Sequence, residues 1–143
     1  MKIKTLLTLL ATAALSLNAA FAAEDDTPLA KEMKTVNKSL RTLKRQVGDA
    51  AKKDENLQLL ATIKKSLDAS AKLEPAKTKD QPAGDKAAYV DKYHKEMADL
   101  KKTFEDVETA VKADKADDAK KLFEKLSEQK EKGHKDFGAD DDK

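Results

Sequence analysis

The feature that most constrains this chain is the spacing of its apolar residues, which recur at alternating intervals of four and three. The clearest run begins just after Thr27 and Pro28 and ends at Gly48. Its members are Leu29, Met33, Val36, Leu40, Leu43 and Val47. Such intervals place side chains on one face of an α-helix, and Thr-Pro and Gly are typical of a helix start and a helix end. The pattern predicts one amphipathic helix with a continuous apolar stripe.

Three further segments repeat this spacing. The second runs from about Glu55 to Leu73, the third begins near Ala87, and the fourth follows the polar turn KADKAD, residues 112–117. A polar loop with two prolines and a glycine, residues 74–86, separates the second from the third. Amphipathic helices of this kind bury their stripes only against one another. We therefore predict an all-α fold, an antiparallel up-down-up-down four-helix bundle over residues 23–138.

The first 22 residues predict export rather than an element of the fold. Lys2 and Lys4 precede an apolar run that closes with Ala20-Phe21-Ala22, which is the pattern of a cleaved secretory signal. Residues 139–143, ADDDK, are acidic, and we expect a disordered tail there. The mature chain is expected in the periplasm, without membrane insertion after signal cleavage.

Charge and composition exclude several classes of protein. Removal of 22 residues from 143 takes away two lysines and no acid, which leaves 27 basic and 27 acidic side chains. These are interspersed, so no basic patch points to nucleic acid. The sequence has no cysteine, which excludes disulfides, thiol catalysis and covalent haem attachment. A core, a cofactor or a partner must therefore hold the fold. Separately, we expect the protein to be a monomer.

The sequence also lacks recognisable catalytic constellations, so we predict no enzymatic activity and no catalytic residue. No histidine neighbours the helical serines, which argues against a nucleophilic triad. These serines are Ser39, Ser66, Ser70 and Ser127. There is no glycine-rich phosphate loop. A di-iron bundle carries Glu-x-x-His on each of two helices, and the sequence does not contain this pair of motifs either.

The fourth segment stops being apolar after Leu126, because residues 127–133 include no aliphatic or aromatic side chain. Either this end of the helix is solvated, or a non-protein apolar surface packs against it. Two residues bear on the choice. Met33 is either a gap-filling core residue or a ligand. His134 is either a cation at a helix C-terminus or a ligand.

These two residues lie at one level of the predicted bundle. The first and fourth helices are antiparallel neighbours, so the start of one lies beside the end of the other. Met33 follows Pro28 by five residues, roughly 8 Å along a helix at about 1.5 Å per residue. A methionine and a histidine are one recognised axial pair for haem iron. The pair therefore favours a haem between the two helices over a solvated helix end.

The segments PLAKEMKTVNKSL, residues 28–40, and DKADDAKKLFEKLSEQKEKGHKDF, residues 114–137, resemble the first and last helices of the periplasmic cytochrome b562 family. The resemblance implies one noncovalent haem b with Met33 and His134 as its axial ligands. Other residues of the pocket would be Val36, Leu40, Pro75, Tyr93, Met97 and Lys130. It implies an electron carrier that serves periplasmic redox partners. The alternative is a haem-free periplasmic helical bundle that binds a partner protein or acts in envelope stress.

Overall fold

The structure, a computed structural model, describes residues 27–138. The expected signal peptide, residues 1–22, and the expected acidic tail, residues 139–143, lie outside the described residues. Four helices form: α1 Pro28–Gln46, α2 Lys53–Ser70, α3 Lys86–Lys112 and α4 Ala116–Phe137. Between residues 27 and 138 there is no strand, and no helix is long and apolar enough to cross a membrane. The predicted all-α four-helix bundle is confirmed.

The start of α1 follows the sequence signals closely. The Thr27 hydroxyl accepts a hydrogen bond from the Ala30 N–H at 3.1 Å, which satisfies one of the free donors of the first turn. Pro28 occupies the first helical position, where its missing N–H has no cost. A short 3-10 turn, Ala50–Lys52, then leads into α2.

The end of α2 differs from the prediction, since the helix stops at Ser70 rather than near Leu73. The N–H groups of Lys72 and Leu73 donate to the carbonyls of Ala69 and Ser70, three residues earlier. Bonds of this span tighten the last turn and end the α-helix. The loop that follows contains a second 3-10 turn, Ala76–Asp80. Apolar spacing does not reveal it, because the turn is short and largely polar.

Consecutive helices pack side by side, α1 on α2, α2 on α3 and α3 on α4. Their stripes meet in one core, whose larger members are Val36, Leu40, Leu43, Leu60, Ile63, Leu67, Tyr93, Met97, Phe104, Val107, Phe123 and Leu126. The first two members of the α1 stripe, Leu29 and Met33, are only partly buried. The core therefore ends before the start of α1 is reached.

Side chains of α1 and α4 meet near the end of α1. Lys44, late in α1, donates a hydrogen bond of 2.9 Å to Ser127 Oγ, and its Nζ lies 5.8 Å from the centroid of the Phe123 ring. The backbones of α1 and α4 approach each other less than those of consecutive helices do. Toward the start of α1 the space between these two helices is open, and this opening sets the position of the candidate site.

Candidate functional site

A cavity of about 580 Å³ lies between α1, α3 and α4, where α1 begins and α4 ends. No residue of α2 lines it. Its size falls within the roughly 300–1,000 Å³ of typical sites for small molecules and cofactors. The gap that the sequence places between the first and last helices is thus present, and it is large enough to hold a cofactor.

Seven of the eight residues singled out from the sequence line this cavity: Met33, Val36, Leu40, Tyr93, Met97, Lys130 and His134. The exception is Pro75, which is fully buried, while the next residue, Ala76, lines the cavity instead. The structure therefore brings the candidate ligands, Met33 and His134, to one space. That they bind a metal stays a prediction.

On α1 the cavity wall is apolar and carries one sulfur atom. Val36 and Leu40 are 3% and 8% exposed, and Met33, one turn earlier, is half-buried. The Ser70 hydroxyl at the end of α2 donates a hydrogen bond to Met33 Sδ at 3.8 Å. The thioether thus has a polar contact with a helix that does not itself line the cavity.

On α3 the wall is formed by Tyr93 and, one turn later, by Met97, both buried. The Tyr93 hydroxyl donates to the Ser70 carbonyl at 2.8 Å. Burial raises the pKa of Tyr93 to about 12, so its phenol remains protonated and donates throughout the neutral range. Because α2 satisfies its only polar atom, Tyr93 presents an apolar ring to the cavity.

The end of α4 is anchored to α3 by an aromatic contact. The Phe137 ring lies edge-on to the rings of Tyr89 and Tyr93, with both centroid distances at 5.3 Å. The sequence-based prediction ends the apolar stripe of α4 at Leu126 and gives Phe137 no role. Phe137 follows Leu126 by eleven residues, about three helical turns, so it lies on the same face. That spacing was the signal that could have identified it.

Charged groups reinforce this anchor. The Asp136 carboxylate on α4 pairs with Lys92 of α3 at 3.0 Å and with Lys132 at 3.2 Å, and Lys132 also pairs with Glu96 of α3. The Lys92 ammonium, followed by Lys132, holds the pKa of Asp136 below its ordinary value of 3.8. The Tyr89 hydroxyl donates to the Asp136 carbonyl at 3.2 Å. The last turn of α4, which follows His134, is therefore fixed to α3.

His134 is exposed and lies at the cavity together with Gly133. Apart from the adjoining residues and backbone of α4, no atom lies within 4 Å of the position that a Cβ would take at Gly133. Gly133 follows Leu126 by seven residues and precedes Phe137 by four, so the apolar stripe of α4 is interrupted where the cavity lies. The polar stretch noticed in the sequence is thus a gap in a stripe that resumes.

The donor chemistry of the cavity fits a haem. Within residues 27–138, no group of three or more His, Cys, Asp or Glu residues could hold a metal ion. The thioether of Met33 and the imidazole of His134 come from different walls of a largely apolar space, and both are ligands of haem iron in proteins. Gln129, also at the cavity, has a buried amide oxygen without a hydrogen-bond partner. His94 is exposed and lies outside the cavity lining.

Comparison with known proteins identifies one family. The family model described as cytochrome b562 matches residues 28–137, from the first residue of α1 to the last of α4. No curated protein and no solved structure matches the chain. The match covers all four helices and every cavity-lining residue except Thr27 and Gly138, and it confirms the resemblance drawn from the sequence.

Proposed function

This chain belongs to the cytochrome b562 family, a family of haem-binding electron-transfer proteins, and from that premise we propose that it carries electrons in the periplasm with one noncovalent haem b held by Met33 and His134. One observation carries the proposal: a thioether from α1 and an imidazole from α4 line the same cavity. The secretory pattern of residues 1–22 supports the location. The absence of cysteine from the sequence supports noncovalent attachment.

The two ligands suit electron transfer. A bound haem supplies a reversible one-electron couple at its iron. Met33 and His134 would both hold the iron, which would leave no open site for oxygen or peroxide and would disfavour oxygenase or peroxidase chemistry. A methionine ligand raises the reduction potential. The proposed protein is therefore a carrier and not an enzyme.

The other cavity residues would exclude water and bind the polar edge of the cofactor. Val36, Leu40 and Met97 are each less than 9% exposed and would cover an apolar ring. Lys130 makes no ion pair with any described residue, whereas Lys132 is paired with Glu96 of α3 and with Asp136 of its own helix. Lys130 is therefore the cation available for a propionate of the haem.

Titration of the purified protein with hemin, followed by absorption spectroscopy, tests this proposal. We expect a sharp Soret band that saturates at one hemin per chain, with split visible bands after reduction. A spectrum that remains that of free hemin would contradict the proposal and favour the haem-free, partner-binding bundle.

Substitution of each ligand tests the assignment. Loss of a partner in the outer shell of a metal site already weakens binding by roughly 10–100-fold, so loss of a ligand should cost at least as much. Met33→Ala should retain a weaker haem of lower potential on the histidine, and His134→Ala should lose most of its haem. Unchanged spectra and affinity in both variants would show that the assignment is wrong.

The chain supplies a matched control for each ligand. Met97→Leu removes the other thioether at the cavity while keeping an apolar side chain of similar volume. His94→Ala removes the other histidine, which is exposed and outside the lining. Both controls should bind hemin as the wild type does. A spectrum that changes in Met97→Leu but not in Met33→Ala would assign the thioether ligand to α3.

A further inference from the structure

Ser70 makes an unusual hydrogen bond for a serine in a helix. Hydroxyls of helical Ser and Thr commonly donate to the carbonyl four residues earlier, and Thr35 and Ser127 of this chain do so. Ser70, the last residue of α2, is fully buried, and its hydroxyl donates instead to Met33 Sδ on α1, at 3.8 Å. The contact is therefore a tertiary one, and it joins α2 to a candidate ligand.

The position of Ser70 is itself fixed by its neighbours. Its carbonyl accepts hydrogen bonds from the Tyr93 hydroxyl at 2.8 Å and from the Leu73 N–H at 3.0 Å. Because the Tyr93 phenol remains protonated, its donation from α3 persists across the neutral range. The Ser70 side chain is thus presented to Met33 by a backbone that α3 holds in place.

The chemistry of sulfur makes this contact relevant to a metal. A thioether sulfur is a weak hydrogen-bond acceptor, and with two lone pairs it can accept from Ser70 and still bind iron. A hydrogen bond draws electron density from the sulfur. The weaker sulfur donor destabilises ferric iron, which needs electron donation more, to a greater extent than it destabilises ferrous iron. Outer-shell partners of this kind orient metal ligands and tune the metal, and hydrogen bonding is one control on haem potential.

We infer that Ser70 is a positioning residue for Met33, which it orients for axial ligation, and that its hydroxyl raises the reduction potential of the bound haem. Ser70 acts only through the thioether, because it does not line the cavity. The inference rests on the proposed function, since a potential is defined only when a haem is bound.

The test compares Ser70→Ala with Ser66→Ala in the haem-loaded protein. Ser66 is buried one turn earlier on α2 and is the matched control, because Met33 accepts its hydrogen bond from Ser70. Alanine is the best helix former, so both variants should fold, which circular dichroism will verify. Ser70→Ala should raise the ratio of ferric to ferrous haem affinity by about tenfold, which is the low end for outer-shell partners. For a one-electron couple, this change lowers the reduction potential by about 59 mV. Ser66→Ala should keep the wild-type potential.

A second readout needs no haem. In the haem-free protein, the NMR methyl signal of Met33 should move toward a rotamer-averaged position in Ser70→Ala and stay in place in Ser66→Ala. A Ser70→Ala variant with wild-type potential and a wild-type Met33 signal would overturn the inference. A wild-type protein that binds no hemin would overturn the proposed function and the tuning role together, and the methyl signal would still decide whether Ser70 positions Met33.

Discussion

The two candidate ligands are held in place by different means. Met33 is contacted through its side chain, by the Ser70 hydroxyl. The His134 side chain is exposed, and its carbonyl accepts a hydrogen bond from the Gly138 N–H at 2.8 Å, within a helical turn that Phe137 packs against α3. A change in α3 can therefore displace the histidine without touching it, whereas the methionine packs against the core and accepts a hydrogen bond from α2 through its own side chain.

The residue beside His134 gives a prediction about stability. Gly133 lies inside α4, and a Cβ placed there would meet no atom within 4 Å apart from the adjoining residues and backbone of α4. Glycine in a helix interior costs roughly 0.5–1 kcal/mol relative to alanine. We expect Gly133→Ala to raise the free energy of unfolding of the haem-free protein by about that amount, measured by urea denaturation.

Gly138 provides the contrast, because a Cβ there would overlap the His134 carbonyl. The same substitution five residues along the chain should therefore destabilise the end of α4. A Gly133→Ala variant less stable than the wild type would contradict the open space that the structure places at this position.

At the scale of the elements, the last turn of α4 is held to α3 by ion pairs of Asp136, which the sequence analysis did not predict. The Asp136 carboxylate has a lowered pKa because Lys92 and then Lys132 pair with it. A carboxyl group whose pKa is lower when folded stabilises the structure at pH values above its unfolded pKa, and this stabilisation is lost as the pH falls through the folded pKa. The window for this loss lies below the ordinary value of 3.8.

We therefore expect the last turn of α4 to loosen in acid. Hydrogen-exchange protection of the Gly138 amide, corrected for the intrinsic rate, should be high at pH 6 and fall below pH 4. In Asp136→Asn it should already be low at pH 6 and change little further. Equal pH profiles in the two proteins would contradict the role of the ion pairs.

A second carboxyl with a lowered pKa supplies the control. Glu108 on α3 pairs with Lys112 and with Lys64 of α2, and the Lys112 ammonium is the main cause of its low pKa. Glu108→Gln removes a comparable charge away from α4. Protection of the Gly138 amide should follow the wild-type pH profile in this variant.

Sequence periodicity predicted the four helices because each stripe is set by local spacing, and it placed Met33 and His134 at one level. The contact between Ser70 and Met33 could not be predicted in the same way. It depends on the rotation of two helices about their axes and on one side-chain rotamer, neither of which the spacing of apolar residues specifies. Pro75 shows the same limit in a loop, where a 3-10 turn directs Ala76 to the cavity.

For the whole molecule, the packed core fills one end of the bundle and extends to the cavity, where Val36, Leu40 and Leu126 belong to both. Leu43, late in α1, is fully buried in the core. Leu29 and Met33, near the start of the same helix, line the cavity. The folded bundle therefore does not rely on the cofactor for most of its core. A ligand in the cavity would join α1 to α4 where they are otherwise apart.

Hemin should accordingly stabilise the whole protein. A ligand of the folded state adds RT ln(1 + [L]/Kd), about 2.7 kcal/mol at a hundredfold excess over Kd, which should raise the midpoint of thermal unfolding by several degrees. Hydrogen exchange should show added protection concentrated in residues 29–40 and 130–137. Calorimetry with and without hemin measures the first effect, and His134→Ala should largely abolish it. Equal midpoints for the wild-type protein would contradict the prediction.

The cavity also lies beside both ends of the described segment, because Thr27 and Gly138 line it. The turns that join α1 to α2 and α3 to α4 lie together at the other end, where Gly48 and Asp114 border a small hollow of about 80 Å³. A second protein joined next to Thr27 or Gly138 through a short tether would be held beside the site at an effective concentration in the millimolar range. The two ends of the described segment are thus suitable points for attaching an electrode or another redox domain, and the opposite end of the bundle is the place for a label that leaves the site undisturbed.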